Sequence, residues 1–315
     1  MMIQIDRELD MDDLDTRIRL KAFAHLEILR MQYGDILPLT SLSAGFEFEG
    51  RGVRFLGPPG IFKPAILPEI PLSIKTVPIE EGKPRPYEDE IGTDGLIRYK
   101  YRGTDPNHRD NVGLRLAMQR QVPLIYFYGH APGQYEAVWP VYIVGDDPGS
   151  LTFSVVVAEK RVDANPREFS FGDETAVRSY ITVATQRRLH QQSFRIRVLQ
   201  AYRQSCSICR LRHAELLEAA HILPDRNPRG EPWVSNGISL CKLHHAAFDS
   251  QILGIRPDLV IEIRRDILEE SDGPLLIHGL QGWHNKKLSV VPNSALLKPR
   301  EDFLEERYEL FRKAG

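Results

Sequence analysis

Between Asp10 and Tyr33 the apolar residues Leu14, Ile18, Phe23, Leu26, Ile28 and Leu29 approximate helical spacing, and Gly34 supplies a stop. A packing helix is predicted there, within an N-terminal helical segment at residues 1–40. From residue 41 the period changes. "FEFEGRGVRFL" alternates polar and apolar positions and predicts a strand pair. "GPPGIFKPAILPEIPL" is too rich in Pro and Gly for a helix. "LIRYKYRG", "VPLIYFYG", "YEAVWPVYIVGDD" and "LTFSVVVAE" read as strands bounded by turn residues. Only "DNVGLRLAMQRQ" between them suggests a short helix. A mainly β domain at 41–163 follows, with Tyr126 and Tyr128 in its core. From Thr182 to Arg203 helical spacing returns through Leu189, Phe194, Ile196, Val198, Leu199 and Tyr202. The polar, breaker-containing "DANPREFSFGDE" places a linker at 164–183 and a second domain at 184–315. Beyond Asp249, "DLVIEIRRDIL" is strand-like, and Glu301–Lys313 reads as a charged amphipathic helix. The fold class is α+β.

Composition adds mainly exclusions. A chain of 315 residues suggests two domains, and 42% hydrophobic with 27% charged residues is ordinary for a globular protein. The net charge of −2 gives no global sign of a polyanionic partner. Three cysteines cannot close into a disulfide set. No apolar run approaches the ~20 residues that span a bilayer, and the start "MMIQIDRELDMDDLDTR" has no signal-like apolar stretch. A cytoplasmic location with no membrane partner is expected. Local charge is different. Between Ala176 and Ala214 lie eight arginines (178, 187, 188, 195, 197, 203, 210 and 212) and no acid, a pattern suited to bidentate phosphate contacts.

Metal-capable groups crowd into "LCKLHHAAFD", Leu240–Asp249. Cys206 and Cys209 form a C-x-x-C pair, and Cys241 with His244 forms a C-x-x-H pair after 31 intervening residues. Three thiolates and one imidazole make a closed structural zinc site. Neighbouring side chains on a helix diverge by about 100°, so His245 faces away from that zinc. Asp249, four residues on, shares the His245 face. The pair offers a second, open site for a harder ion, Mg²⁺ or Mn²⁺.

Between the ligand pairs lie "EAAHILP" (Glu218–Pro224) and "SNGISLC" (Ser235–Cys241). His221, Asn236 and His245, in that order within a zinc frame, resemble the HNH endonucleases of the ββα-metal type, over about Cys206 to Gln251. The resemblance implies that His221, on a strand, is the general base and that Asn236 braces the loop. It implies that His245 and Asp249 bind the catalytic divalent ion. Many members place Asp or His directly before the base; here Ala220 stands there, which leaves Glu218 or His213 to assist.

A second resemblance covers the β domain. Gly60-Ile61, Ile70–Ile74 and Pro86–Met118 resemble SRA domains, PUA-like curved sheets or barrels that flip a methylated cytosine out of duplex DNA. The elements are Tyr87-Glu88-Asp89-Glu90, then Tyr101-Arg102-Gly103, then Asn111 opening a short helix. The family pattern implies Tyr87 and Tyr101 as the base sandwich and Asp89 or Glu90 as acceptor for the base's edge, with Tyr99 or Asp94 as alternatives; a flipped base needs such faces and partners. "TDPNHRDN" (Thr104–Asn111) is the candidate for a loop entering the duplex.

The two resemblances together imply a modification-dependent restriction endonuclease acting on double-stranded DNA that carries 5-methylcytosine or 5-hydroxymethylcytosine. It would contain structural Zn²⁺ and catalytic Mg²⁺ or Mn²⁺, and one site per copy would require a homodimer for a double-strand cut. The rivals are an HNH endonuclease reading another modification or an unmodified sequence, and a non-catalytic modified-DNA binding module.

Overall fold

The computed structural model describes residues 14–78, 90–91, 94–158, 174–224, 226–271 and 273–314. It divides into two compact units, the first running to Leu189 and the second beginning at His190. In the first unit the strands are β1 (Ile36–Pro38), β2 (Phe46–Phe48), β3 (Arg51–Val53), β4 (Ile61–Phe62), β5 (Ser73–Thr76), β6 (Glu90–Ile91), β7 (Ile97–Lys100), β8 (Leu124–Ala131), β9 (Gln134–Asp147) and β10 (Thr152–Val157). The helices are α1 (Leu14–Tyr33), α2 (Leu39–Ala44), α3 (Arg109–Gln119) and α4 (Glu174–Ala201), the last continuing into the second unit.

An eight-stranded mixed sheet, in the order β4-β5-β8-β9-β10-β7-β6 with β1 added on β9, organises the first unit. Only β5 and β8 run parallel; the other pairs in the sheet are antiparallel. The long β9 pairs with β8 along its first half, while its opposite edge serves β1 and then β10. Register shifts in β8 and β10 curl the sheet there, since an extra residue on one strand bends it and increases its twist.

Both faces of the sheet are buried. Leu124, Tyr126 and Tyr128 point into a core shared with Leu114 and Ala117 of α3. Ile125 and Phe127 point the other way, into a core with Ile18, Ala22, Leu26 and Leu29 of α1. Two-sided burial explains why "LIYFYG" reads as an unbroken apolar run rather than an alternation. Helix α1 is therefore integral to this unit rather than a segment beside it. Its buried stripe is narrower than expected, for Leu14 and Ile28 are exposed. Arg19 is buried on that stripe, paired with Asp15 and donating to the carbonyls of Pro71 (3.0 Å) and Pro123 (3.1 Å). Of the linker expected at 164–183, residues 174–183 are already helix α4. The breakers Pro166 and Gly172 lie outside the described residues.

The second unit contains β11 (Leu217–His221), β12 (Gly237–Cys241), α5 (Lys242–Asp249), β13 (Leu253–Ile255), β14 (Ile261–Ile263), α6 (Arg265–Glu269), α7 (Pro274–Gly279) and α8 (Glu301–Ala314). The segment expected as one strand at 258–268 thus splits into β14 and α6. Phe194, Val198, Leu199 and Tyr202 of α4 form one core with β11, β12, α5 and the Phe303-Leu304 side of α8. Among the described residues, no helix is long and apolar enough to cross a membrane.

Candidate active site and metal centre

After α4 the chain turns sharply, with Arg203, Gln204 and Arg210 at positive φ (55°, 51° and 62°). Cys206 N–H donates to Leu211 O (2.9 Å), Arg210 N–H to Cys206 O (3.1 Å), and Ser207 N–H to Ser239 O on β12 (2.7 Å). This knuckle brings Cys206 and Cys209 against Cys241, the last residue of β12, and His244 in the first turn of α5. The four donor atoms all lie within 4.8 Å of one another. Cys209 Sγ is 3.9 Å from Cys241 Sγ, and His244 Nδ1 is 3.1 Å from Cys241 Sγ and 3.5 Å from Cys206 Sγ. Tetrahedral zinc at ordinary bond lengths needs S···S near about 3.8 Å and S···N near about 3.5 Å, so the donor set fits the ion. His244 Nε2–H donates to Gly279 O (2.8 Å), which leaves Nδ1 as the ligand atom. The three cysteines are free thiols. Hydrogen bonds from Cys206 and Cys209 hold the Cys241 thiol far below its ordinary pKa, while those with Cys209 and Cys241 hold Cys206 up.

The same hairpin positions the HNH residues. β11 and β12 pair antiparallel with Leu217 opposite Cys241 and His221 opposite Gly237. Zinc ligand and candidate base therefore sit at opposite ends of one two-stranded ladder. The His221 ring stacks on Phe194 of α4, centroids 3.9 Å apart and planes 15° apart. A Cβ on Gly237 would come within 2.5 Å of Val198 and 2.8 Å of Phe194, so glycine is required for α4 to approach this closely. Behind His221, the fully buried Asn236 accepts from Leu223 N–H (2.9 Å) and donates to Leu223 O (3.0 Å) and Glu231 O (3.1 Å). One side chain thus pins both ends of the loop between the strands.

His245 lies on the face of α5 away from the cysteine cluster. Its Nδ1 is 2.6 Å from Glu218 Oε2 and its Nε2 is 3.2 Å from Asp249 Oδ2. Arg307 of α8 donates through Nη2 to Phe248 O (3.0 Å) and Asp249 Oδ1 (3.3 Å). The hydrogen bond to Asp249, opposed by burial and reinforced by Glu218, raises the His245 pKa. The same bond holds the Asp249 carboxyl down, against burial and with help from the charges of His245, Arg307 and His221. Two ligands on adjacent corners of an octahedron around Mg²⁺ lie about 3.0 Å apart; Nε2 and Oδ2 nearly span that edge, so the pair fits such a cation. His213 is exposed at the start of the 3₁₀ turn Ala214–Leu216.

The arginine run serves the fold more than expected. Arg195 caps Ala214 O (2.7 Å) and Leu217 O (2.9 Å), Arg197 binds Pro232 O (2.8 Å), and Arg203 binds Val291 O (3.1 Å). Arg188 pairs with Glu136. Arg187, Arg210 and Arg212 are exposed.

Of the residues expected to receive a base, Tyr101 and Asn111 lie among the described residues with their side chains. Tyr101 is a core ring, 2% exposed, stacked on Phe153 at 4.5 Å and bonded through its hydroxyl to Asp146. Asn111 is fully buried and ties the following loop back onto itself, accepting from Arg102 N–H (2.9 Å) and donating to Asp105 O (2.8 Å). Both side chains are packed into this unit's interior. Tyr99 is buried and donates to Lys75 O (3.2 Å), and Asp94 pairs with Arg98. Glu90 lies on β6, and Tyr87 and Asp89 lie outside the described residues. Sequence patterns give no sign of a cavity of about 430 Å³ elsewhere in this unit, lined by Arg30, Asp35, Glu136, Trp139, Thr185 and Arg188 among others. Its aromatic floor sits in the apolar run "AVWPV", where no polar signal marks it.

Residues 206–256 match the family model described as HNH endonuclease. The solved structure of a modification-dependent TagI restriction endonuclease aligns at 16% identity over 76% of this chain and 81% of that one, with a TM-score of 0.27, too low to bear on the fold. No curated protein matches the chain. The second unit accordingly carries an HNH-type endonuclease domain that contains the Cys3His cluster suited to a metal.

Proposed function

We propose that this HNH endonuclease is modification-dependent, with the first unit reading 5-methylcytosine or 5-hydroxymethylcytosine in duplex DNA and the second cutting the strand. The observation that carries the nuclease half is the His245–Asp249 pair, 3.2 Å apart, within the segment that matches HNH endonucleases. His221 takes the proton from the attacking water, a task suited to an imidazole near neutral pH. Phe194 holds its ring plane, and Asn236 holds the loop that follows it. His245 and Asp249 would bind Mg²⁺ or Mn²⁺, which when bound stabilises charge on the phosphate and the leaving oxygen. Cys206, Cys209, Cys241 and His244 would hold a structural zinc that fixes the hairpin and α5 together.

The reader half is supported by the motif resemblance around Tyr87–Asn111 and by the presence of a second compact unit with a concave site of its own. Either Tyr87 with Asp89 and Glu90 or the cavity beside Trp139 would receive the base. The test is cleavage of matched duplexes carrying cytosine, 5-methylcytosine or 5-hydroxymethylcytosine with Mg²⁺ or Mn²⁺. Cutting confined to modified duplexes is expected; equal cutting of all three would remove the reader claim and leave a plain HNH endonuclease.

A further inference from the structure

Ala220 is buried and offers no ligand, so His245 and Asp249 need another source of order. On a strand, residues two apart share a face, so Glu218 presents its longer side chain from the same side of β11. Its Oε2 meets His245 Nδ1 at 2.6 Å. An ionised carboxylate can only accept, so Nδ1 donates to Glu218, and Nε2, which hydrogen-bonds to Asp249 Oδ2 here, is the ring nitrogen left to face a cation. At the other end Arg307 can only donate, and it takes Oδ1 of Asp249 (3.3 Å), leaving Oδ2. The two atoms left over, Nε2 and Oδ2, are the pair that face each other at 3.2 Å.

Arg307 is itself firmly placed. It donates to Phe248 O (3.0 Å), and its guanidinium lies over the Phe248 ring, 4.6 Å from the centroid. Helix α8 is held down by buried Phe303, Leu304 and Phe311. A Cβ on Gly254 of β13 would meet the Phe311 ring at 2.6 Å, so the helix packs directly on the backbone that follows α5. The run Glu218–His245–Asp249–Arg307 thus draws on β11, α5 and α8, and its last member lies well beyond the matched segment 206–256.

We propose that Glu218 and Arg307 are positioning residues of the divalent-cation site: Glu218 makes Nε2 the ligand atom of His245, and Arg307 makes Oδ2 the ligand atom of Asp249. The inference rests on the nuclease reading above. An exposed ion pair of purely structural use would leave cation affinity alone, and the pairing would then change stability only slightly. A positioning partner instead changes metal affinity by about 10–100-fold when removed.

The experiment is Mn²⁺ binding to the zinc-loaded full chain, followed by electron paramagnetic resonance, with thermal melting and zinc content as checks of folding. Wild type should bind one Mn²⁺ that His245→Ala abolishes. Glu218→Ala and Arg307→Ala should each weaken it at least about tenfold. Glu218→Gln should stay within about threefold of wild type, because the amide oxygen still accepts from Nδ1–H. Arg307→Lys should lose about tenfold, since an ammonium cannot reproduce a planar guanidinium set over the Phe248 ring while donating to Phe248 O and Asp249. Wild-type affinity in folded Glu218→Ala and Arg307→Ala overturns the proposal. If either alanine variant fails to fold, Arg307→Lys at wild-type affinity, or Glu218→Gln as weak as His245→Ala, overturns it instead. A wild-type chain with no Mn²⁺ site sensitive to His245→Ala fails the nuclease reading itself, which separates the two.

Discussion

His221 illustrates how much of a site one residue can carry. Its ring is fixed by Phe194 and its backbone by the ladder to Gly237, so removing the imidazole deletes chemistry while sparing most packing. His221→Ala should lower the cleavage rate about 10²–10⁴-fold, with zinc content and DNA affinity retained, measured by single-turnover cleavage and a filter-binding assay. Asn236→Ala should behave differently. It strips partners from Leu223 N–H, Leu223 O and Glu231 O, and buried groups left unsatisfied cost about 1–3 kcal/mol each. Urea unfolding should show a loss of about 2–4 kcal/mol alongside weaker cleavage. The Cys206, Cys209, Cys241 and His244 cluster is legible in the sequence because its spacing is local: two pairs, each three residues apart. His245 and Asp249 are legible because a helix puts i and i+4 on one face. Arg307 is not, because its place depends on how α8 packs against β13, and no spacing rule reaches across that distance. Tyr101 marks another limit: just past β7 its ring is buried against Phe153, and a core aromatic and one in a stacking pocket leave the same trace in sequence.

At the level of elements, the hairpin β11–β12 ties the two chemistries together. Cys241 closes one end of the ladder and His221 the other, so a metal that clamps the knuckle to α5 also sets the strand register on which the base depends. Stripping the zinc, or changing Cys206→Ser, should unfold the second unit and abolish cleavage. The first unit, which has its own sheet and two cores, should keep its melting transition; differential scanning calorimetry with zinc analysis checks this. Gly237→Ala probes the same junction from the α4 side. The added methyl meets Val198 and Phe194, and overpacking of this kind costs about 1–3 kcal/mol. Because Phe194 also carries the His221 ring, cleavage should fall by more than the stability loss explains. The strands and helices of the first unit are largely readable from period alone. Its sheet order is not, since parallel pairing of β5 with β8 and the shared edge of β9 follow from long-range contacts. The acid-free arginine run likewise reads as one phosphate surface, yet Arg195, Arg197 and Arg203 donate to backbone carbonyls of the same unit.

For the molecule as a whole, the stoichiometry of cutting is the open lever. The second unit presents one His245–Asp249 pair, and on the proposed reading one such site attacks one phosphodiester. A double-strand break therefore calls for two copies of the chain on one duplex, or for two successive visits by one copy. We favour two copies acting together, and a closed pair related by a two-fold axis is the usual way a chain meets itself. On a supercoiled plasmid carrying modified cytosine, the two routes separate by kinetics. A cooperating pair should give linear product with little nicked intermediate once the protein exceeds its dimerisation constant, and the linear-to-nicked ratio should rise with protein concentration. Mixing wild type with His221→Ala sharpens the test. Mixed pairs would hold one competent site, so the nicked-to-linear ratio should rise with the mutant fraction, and nicked circles should be most abundant near equal mixing. A linear-to-nicked ratio that ignores both concentration and the mutant fraction would mean that single copies cut one strand at a time, and the dimer reading would fall while the assignment of His221 stood.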